Sequence, residues 1–197
     1  MAVSVFRTSI GGSTFNSVIT KVDELEAVFT KTLPAGNVGT VTTRTDADTG
    51  ILTVASGHGI TDSDFVSVFW EGGHRYGVDV TATTATTISI DLGTGTDLPL
   101  VTVAIVVSKE ETHSIAITGN QLIMFAIDSI NKATINFRDG SNASLLFYHL
   151  LANEGRLWIK DIDVTNPLAG DVVASVIIAN GGTVALTLSI GMLLSTD

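Results

Sequence analysis

The chain has 197 residues, 45% of them hydrophobic and only 15% charged, with a mean hydropathy of +0.43 and a net charge of −10. The length suits one large β domain or two small ones, and a charge fraction below the roughly 25% of ordinary soluble domains points to neutral surface buried against other subunits. The longest apolar stretches, 100–107 and 145–151, have strand length, which argues against a membrane-spanning helix, and singly scattered basic residues argue against direct nucleic-acid binding.

The opening MAVSVFRTSIGG has no basic segment followed by an apolar core, so no secretory signal is expected. Without cysteine there are no disulfides and no thiolate chemistry. Twenty-seven threonines and 19 glycines beside 3 prolines favour strands joined by tight turns.

Val3, Val5 and Phe6 form a short apolar run with no obvious local partner. Two readings are open: a strand of the domain's own sheet, or an arm hinged at Gly11-Gly12 that packs on a neighbouring subunit. From Ser17 to Lys31, Val18, Val22, Leu25, Val28 and Phe29 recur at helical spacing and predict one helix, stopped by Leu33-Pro34-Ala35-Gly36.

From Val38 onward the pattern is β. Gly39–Arg44 and Ile51–Ala55 flank an Asp-rich turn and predict a hairpin; Asp64–Trp70 and Arg75–Val80 flank Glu71-Gly-Gly-His74 and predict another. Thr87–Asp91 and Leu100–Val107 read as further strands. The charged run Ser108–Thr112 marks a boundary, and seven or eight short strands follow it. The last two, about Asn180-Gly181-Gly182, read as a hairpin. The expectation is an all-β protein in three parts: an N-terminal arm with one short helix (1–37), a small β-barrel-like domain (38–108), and a β-sandwich (109–197), for which the jelly roll is one topology compatible with the strand count.

Chemistry is sparse. Glu71, His58 and His74 could hold zinc if their turns converge, and Asp46-x-Asp48, Asp62-x-Asp64 and Asp161-x-Asp163 could serve calcium, but none carries the further ligands such sites need. No nucleophile elbow, phosphate loop or metalloprotease motif occurs. No catalytic residue, cofactor or metal is therefore assigned, and the protein is expected not to be an enzyme. The densest constellation is DFVSVFWEGGHRYGVDV, residues 64–80, in which Trp70, Arg75 and Tyr76 belong to the residue types favoured at interface hot spots. With Val3, Val5 and Phe6 they make the candidate interface set.

Residues 45–80, TDADTGILTVASGHGITDSDFVSVFWEGGHRYGVDV, resemble a module of open reading frames in tailed phages and prophages, where a "TD..TG.LT..SGHG" hairpin precedes a "V.W.GG.RYGV" hairpin. The resemblance spans about a fifth of the chain and implies a virion structural protein made in the bacterial host cytoplasm, similar in type to capsid decoration (cement) proteins. Its implied partners are the major capsid protein or other virion proteins, and copies of itself as a homotrimer. A tail, neck or baseplate component is the first alternative. A carbohydrate-binding module with Trp70 and Tyr76 as its platform is the second.

Overall fold

The computed structural model describes residues 4–10, 13–19, 24–93, 97–118, 122–159, 168 and 171–195. All of its regular structure is β. In chain order the strands are β1 (Ser4–Ile10), β2 (Ser13–Ile19), β3 (Glu24–Leu33), β4 (Asn37–Arg44), β5 (Thr49–Val54), β6 (Phe65–Trp70), β7 (Gly73–Thr83) and β8 (Thr87–Asp91). Then come β9 (Ala104–Lys109), β10 (Glu111–Thr118), β11 (Leu122–Ser129), β12 (Ala133–Arg138), β13 (Ser144–Leu150), β14 (Glu154–Ile159), β15 (Val172–Asn180) and β16 (Leu186–Ser195).

The chain divides into two compact units: Pro34–Glu111 with Ile178–Ala185, and the remainder. The first contains a closed six-stranded barrel in the order β4-β5-β8-β7-β6-β9, so the expected barrel-like domain is a true barrel. Closure removes the sheet edges that would otherwise invite pairing. Period-two sequence makes the wall: along β5, Gly50, Leu52 and Val54 are buried while Thr49, Ile51 and Thr53 are half-exposed. Val41, Leu52, Val66, Val68, Val78, Val80, Ile88, Ile90, Ile105 and Val107 fill the interior. Each fully buried side chain of this size contributes roughly 1.5–3 kcal/mol of burial free energy. Ile60 from one end, and Leu92 and Leu98 from the other, complete the core.

β6 and β7 are joined across a bulge, where Val66 pairs with Val78 but Val68 pairs with Arg75. Gly77, at φ +63, is the residue that allows it. Ser67 and Phe69 point away from the barrel interior yet are also buried.

The second unit holds two four-stranded sheets, β14-β11-β16-β3 and β10-β15-β12-β13, and the β1-β2 pair. Apart from the β12–β13 hairpin, every successive strand from β10 to β16 changes sheet. The core includes Leu33, Ile127, Ala133, Ile135, Phe137, Leu150, Leu168, Val173, Val176, Leu186, Leu188 and Ile190.

Five local expectations differ from this structure. The helix read over 17–31 falls partly on residues 20–23, outside the described set; on either side lie strands β2 and β3. β3 pairs with β16 in an unbroken register from Leu33↔Leu186 to Glu24↔Ser195, which completes a sheet where a separate 1–37 segment was expected. Leu25, Ala27 and Phe29 alternate with Glu24, Glu26 and Val28, a period of two that coexists with the helical spacing, and long-range pairing decides between them. Val5 and Phe6, thought to lack a local partner, pair with Val18 and Ser17. The strand read over 100–107 begins only at Ala104. Finally, β15 and β16 are not a hairpin, because they belong to different sheets.

Candidate interaction surface

Because every neighbouring pair in the barrel is antiparallel, its connections alternate between two ends. One end carries the incoming chain at Asn37, the β5–β6 and β7–β8 connections, and the outgoing chain at Lys109. The far end carries the β4–β5 turn (45–48), the β6–β7 turn (71–72) and the β8–β9 connection.

The far end is laced together. Leu92 N–H donates to the Asp48 carbonyl (3.0 Å) and Leu98 N–H to the Ala47 carbonyl (2.8 Å). Arg75 Nη2 donates to the Leu92 carbonyl (2.8 Å). Arg44 pairs with Asp97 at 3.4 Å. Asp46 Oδ1 accepts from the amides of Asp48 (2.9 Å) and Thr49 (2.6 Å), and those bonds hold its carboxyl below the usual carboxylate range.

Leu100 to Val103 is a turn closed by Val103 N–H to the Leu100 carbonyl (3.2 Å), with Thr102 at φ 75 in its third position. Glycine is the usual occupant there, and a β-branched residue at positive φ stores about 1–3 kcal/mol of strain. The turn exposes Leu100 (69%) and Val101 (44%). Leu98 anchors it in the core below, and Thr102 N–H donates to the Val41 carbonyl (2.8 Å). Sequence reasoning missed this turn because Leu100–Val107 scans as one continuous apolar strand. Pro99 marks a break before Leu100, but the apolar run after it carries no local signal for a bend at Thr102.

The candidate residues of the β6–β7 hairpin take different roles. Trp70 packs against the barrel core, and its indole lies so close to Gly73 that a Cβ there would collide with it. Arg75 ties β7 to the end of β8. Tyr76, beside the bulge, is 37% exposed. Val5 and Phe6 lie on β1, in the other unit, and Val3 falls outside the described residues.

His58 and His74 are not brought together. His58 Nδ1 accepts from Ile60 N–H (3.1 Å) and its Nε2 faces the Thr84 carbonyl (2.9 Å), at the end of the barrel where the chain enters. His74 pairs with Phe69 next to the opposite turn. Asp64 Oδ1 pairs with Lys109 (2.6 Å) and its Oδ2 accepts from Thr61 N–H (2.9 Å), which occupies the Asp62-x-Asp64 run with structural bonds. Asp161 and Asp163 lie outside the described residues. Among the described residues no group of three or more His, Asp or Glu side chains is placed to hold a metal ion.

Charge is unevenly shared. Pro34–Glu111 holds Arg44, Arg75 and Lys109 against ten carboxylates, a net of −7, and Ile178–Ala185 adds none. The second unit holds the remaining seven basic residues and ten carboxylates, a net of −3.

No protein-family model and no curated protein matches the chain. A solved structure, that of infectious bursal disease virus Gx strain, is similar over 88% of this chain and 71% of its own, at 10% identity and a TM-score of 0.21. That degree of likeness is too low to define a common fold.

Proposed function

We propose that the protein is a virion structural component of the capsid decoration type, acting without catalysis by oligomeric binding over the joints of a shell. The observation that carries this is the strand order of the sandwich unit. Taken in chain order as eight strands, β3 and β10 to β16, its sheets read 1-8-3-6 and 2-7-4-5, with the barrel inserted between the first and second strands. This is the order of a jelly roll, an architecture at home in viral capsid and lectin domains. Fold alone does not fix function, and the resemblance of residues 45–80 to tailed-phage reading frames chooses between those settings. The charge division supports a division of labour: the near-balanced sandwich makes subunit contacts, while strongly acidic barrels repel one another. Packing of Trp70 on the barrel core disfavours the carbohydrate-platform reading.

Association would proceed by burial of apolar area at roughly 25 cal/mol per Å², less the cost of lost freedom. A homotrimer satisfies three-fold joints with one repeated heterologous contact, and the major capsid protein is the expected neighbour. Light scattering at micromolar concentration, with an electron-microscopy map of the particle, tests this. The expected result is a trimer seated on the shell. A 20.5 kDa monomer, alone and in the presence of the shell, overturns it, and density in the tail moves the protein to a neck or baseplate role.

A further inference from the structure

We propose that the Leu100–Val101 turn at the far end of the barrel is a docking knob for a protein partner that offers an apolar recess edged with lysine or arginine. The surface is defined by the barrel alone and goes beyond the virion reading. Leu100 is 69% exposed, more than any other large hydrophobic residue whose side chain the structure describes, and Val101 stands beside it. A flexible loop would fold two such side chains back onto the barrel. This one is held out by Leu98 in the core, by the backbone bonds of Val41 with Thr102 and Val103, and by Thr102 in a left-handed conformation. A knob already fixed in its bound shape gives up little conformational freedom on docking.

The surroundings select the partner. Asp46, Asp48, Glu71, Asp91 and Asp97 lie in or beside the connections of this end, against Arg44 and Arg75. Arg44 is engaged by Asp97 and Arg75 by the Leu92 carbonyl. An apolar knob in a negative field fits a recess with a basic rim. A second barrel end is acidic in turn and is repelled. An anionic bilayer is repelled for the same reason, since loops that enter membranes bring Lys or Arg with them.

The test uses the full chain with three probes: a labelled amphipathic peptide of alternating leucine and lysine, the same peptide with glutamate for lysine, and phosphatidylcholine–phosphatidylglycerol vesicles. The comparison is Leu100→Ser/Val101→Ser, whose side chains are exposed and whose melting temperature should match the parent. The lysine peptide is expected to bind the parent at least tenfold more tightly than the double variant and to weaken with salt; the glutamate peptide and vesicles are expected not to bind. Equal affinity of parent and double variant for the lysine peptide overturns the proposal. So does vesicle binding that the double variant loses, because the occupant is then a bilayer.

Discussion

The Oε1 atom of Glu110 lies 2.7 Å from the amide nitrogen of Gly77, and the same oxygen accepts from Ser67 Oγ at 2.8 Å. One carboxylate beyond the end of β9 thus pins the β6–β7 bulge, where the ladder supplies no partner for the extra residue. Removing an acceptor shared by two donors, one of them the fully buried Ser67, costs about 1–3 kcal/mol. Glu110→Ala should lower unfolding stability by that amount in a urea titration, and Glu110→Gln, which keeps an acceptor, by less than half of it. Equal losses would show that charge, not the hydrogen-bond pattern, secures the bulge.

Asn180 tests whether its Asn-Gly-Gly sequence works as a turn or as a clasp. Its side chain is 1% exposed and donates to the carbonyls of Pro34 and Val184, both at 2.8 Å, while Oδ1 accepts from Gly182 N–H at 2.9 Å. Its own carbonyl receives Ser108 Oγ, and Gly36 N–H reaches the Gly182 carbonyl (2.9 Å). Asn180→Ala should cost about 1–3 kcal/mol by removing, at a buried position, the donor to both carbonyls and the acceptor for Gly182 N–H. Asn180→Asp should cost at least as much, since a carboxylate would face those carbonyls. An ordinary turn position tolerates aspartate, so a neutral Asp variant would refute the clasp.

Thr102→Gly should stabilise the protein by about 1 kcal/mol, because glycine occupies φ 75 without a Cβ clash and the side chain replaced is exposed. Chemical denaturation with an unchanged m-value measures it. A loss of stability would mean that the threonine side chain holds the turn.

Acid should weaken the fold in two stages. Burial, helped by Lys132 and opposed by Glu154, holds the His149 pKa below its ordinary 6.5. The Ala143 amide and the Ser141 hydroxyl and amide hold Asp139 below its ordinary range; the Leu151 amide (2.7 Å) and Arg156 do the same for Glu154. In each case the unfolded chain binds protons more readily than the folded one, so stability falls as pH falls. The decline attributable to His149 begins below pH 6.5 and that of the carboxyls below about 4.5. His149→Gln should flatten the first stage and leave the second. Stability that rises on acidification from pH 6.5 to 5 would contradict the histidine assignment.

The barrel was largely legible because its hairpins are local. β4–β5 and β6–β7 join neighbouring stretches, so alternation and Gly/Asp turns locate both partners at once. The final apolar pair carried the same signals and misled, since an Asn-Gly-Gly link between apolar arms looks alike whether the arms pair or cross between sheets. Of the candidate residues, the sequence marked Trp70, Arg75 and Tyr76 as special, but it could not distinguish an exposed anchor from one packed on the protein's own core. The Leu100–Val101 turn was hidden inside an apolar run.

By itself the sequence determined an all-β chain, a small barrel from about residue 38, and an acidic surface, because composition, period-two alternation and turn residues are local properties. Tertiary structure alone decided how β9 closes the barrel against both β4 and β6, and how β3 joins β16, where Thr32 and Thr187 meet at 3.2 Å across 155 positions of sequence. Such pairings rest on backbone hydrogen bonds that every residue but proline can make, so the sequence carries no mark of which distant strand will receive them.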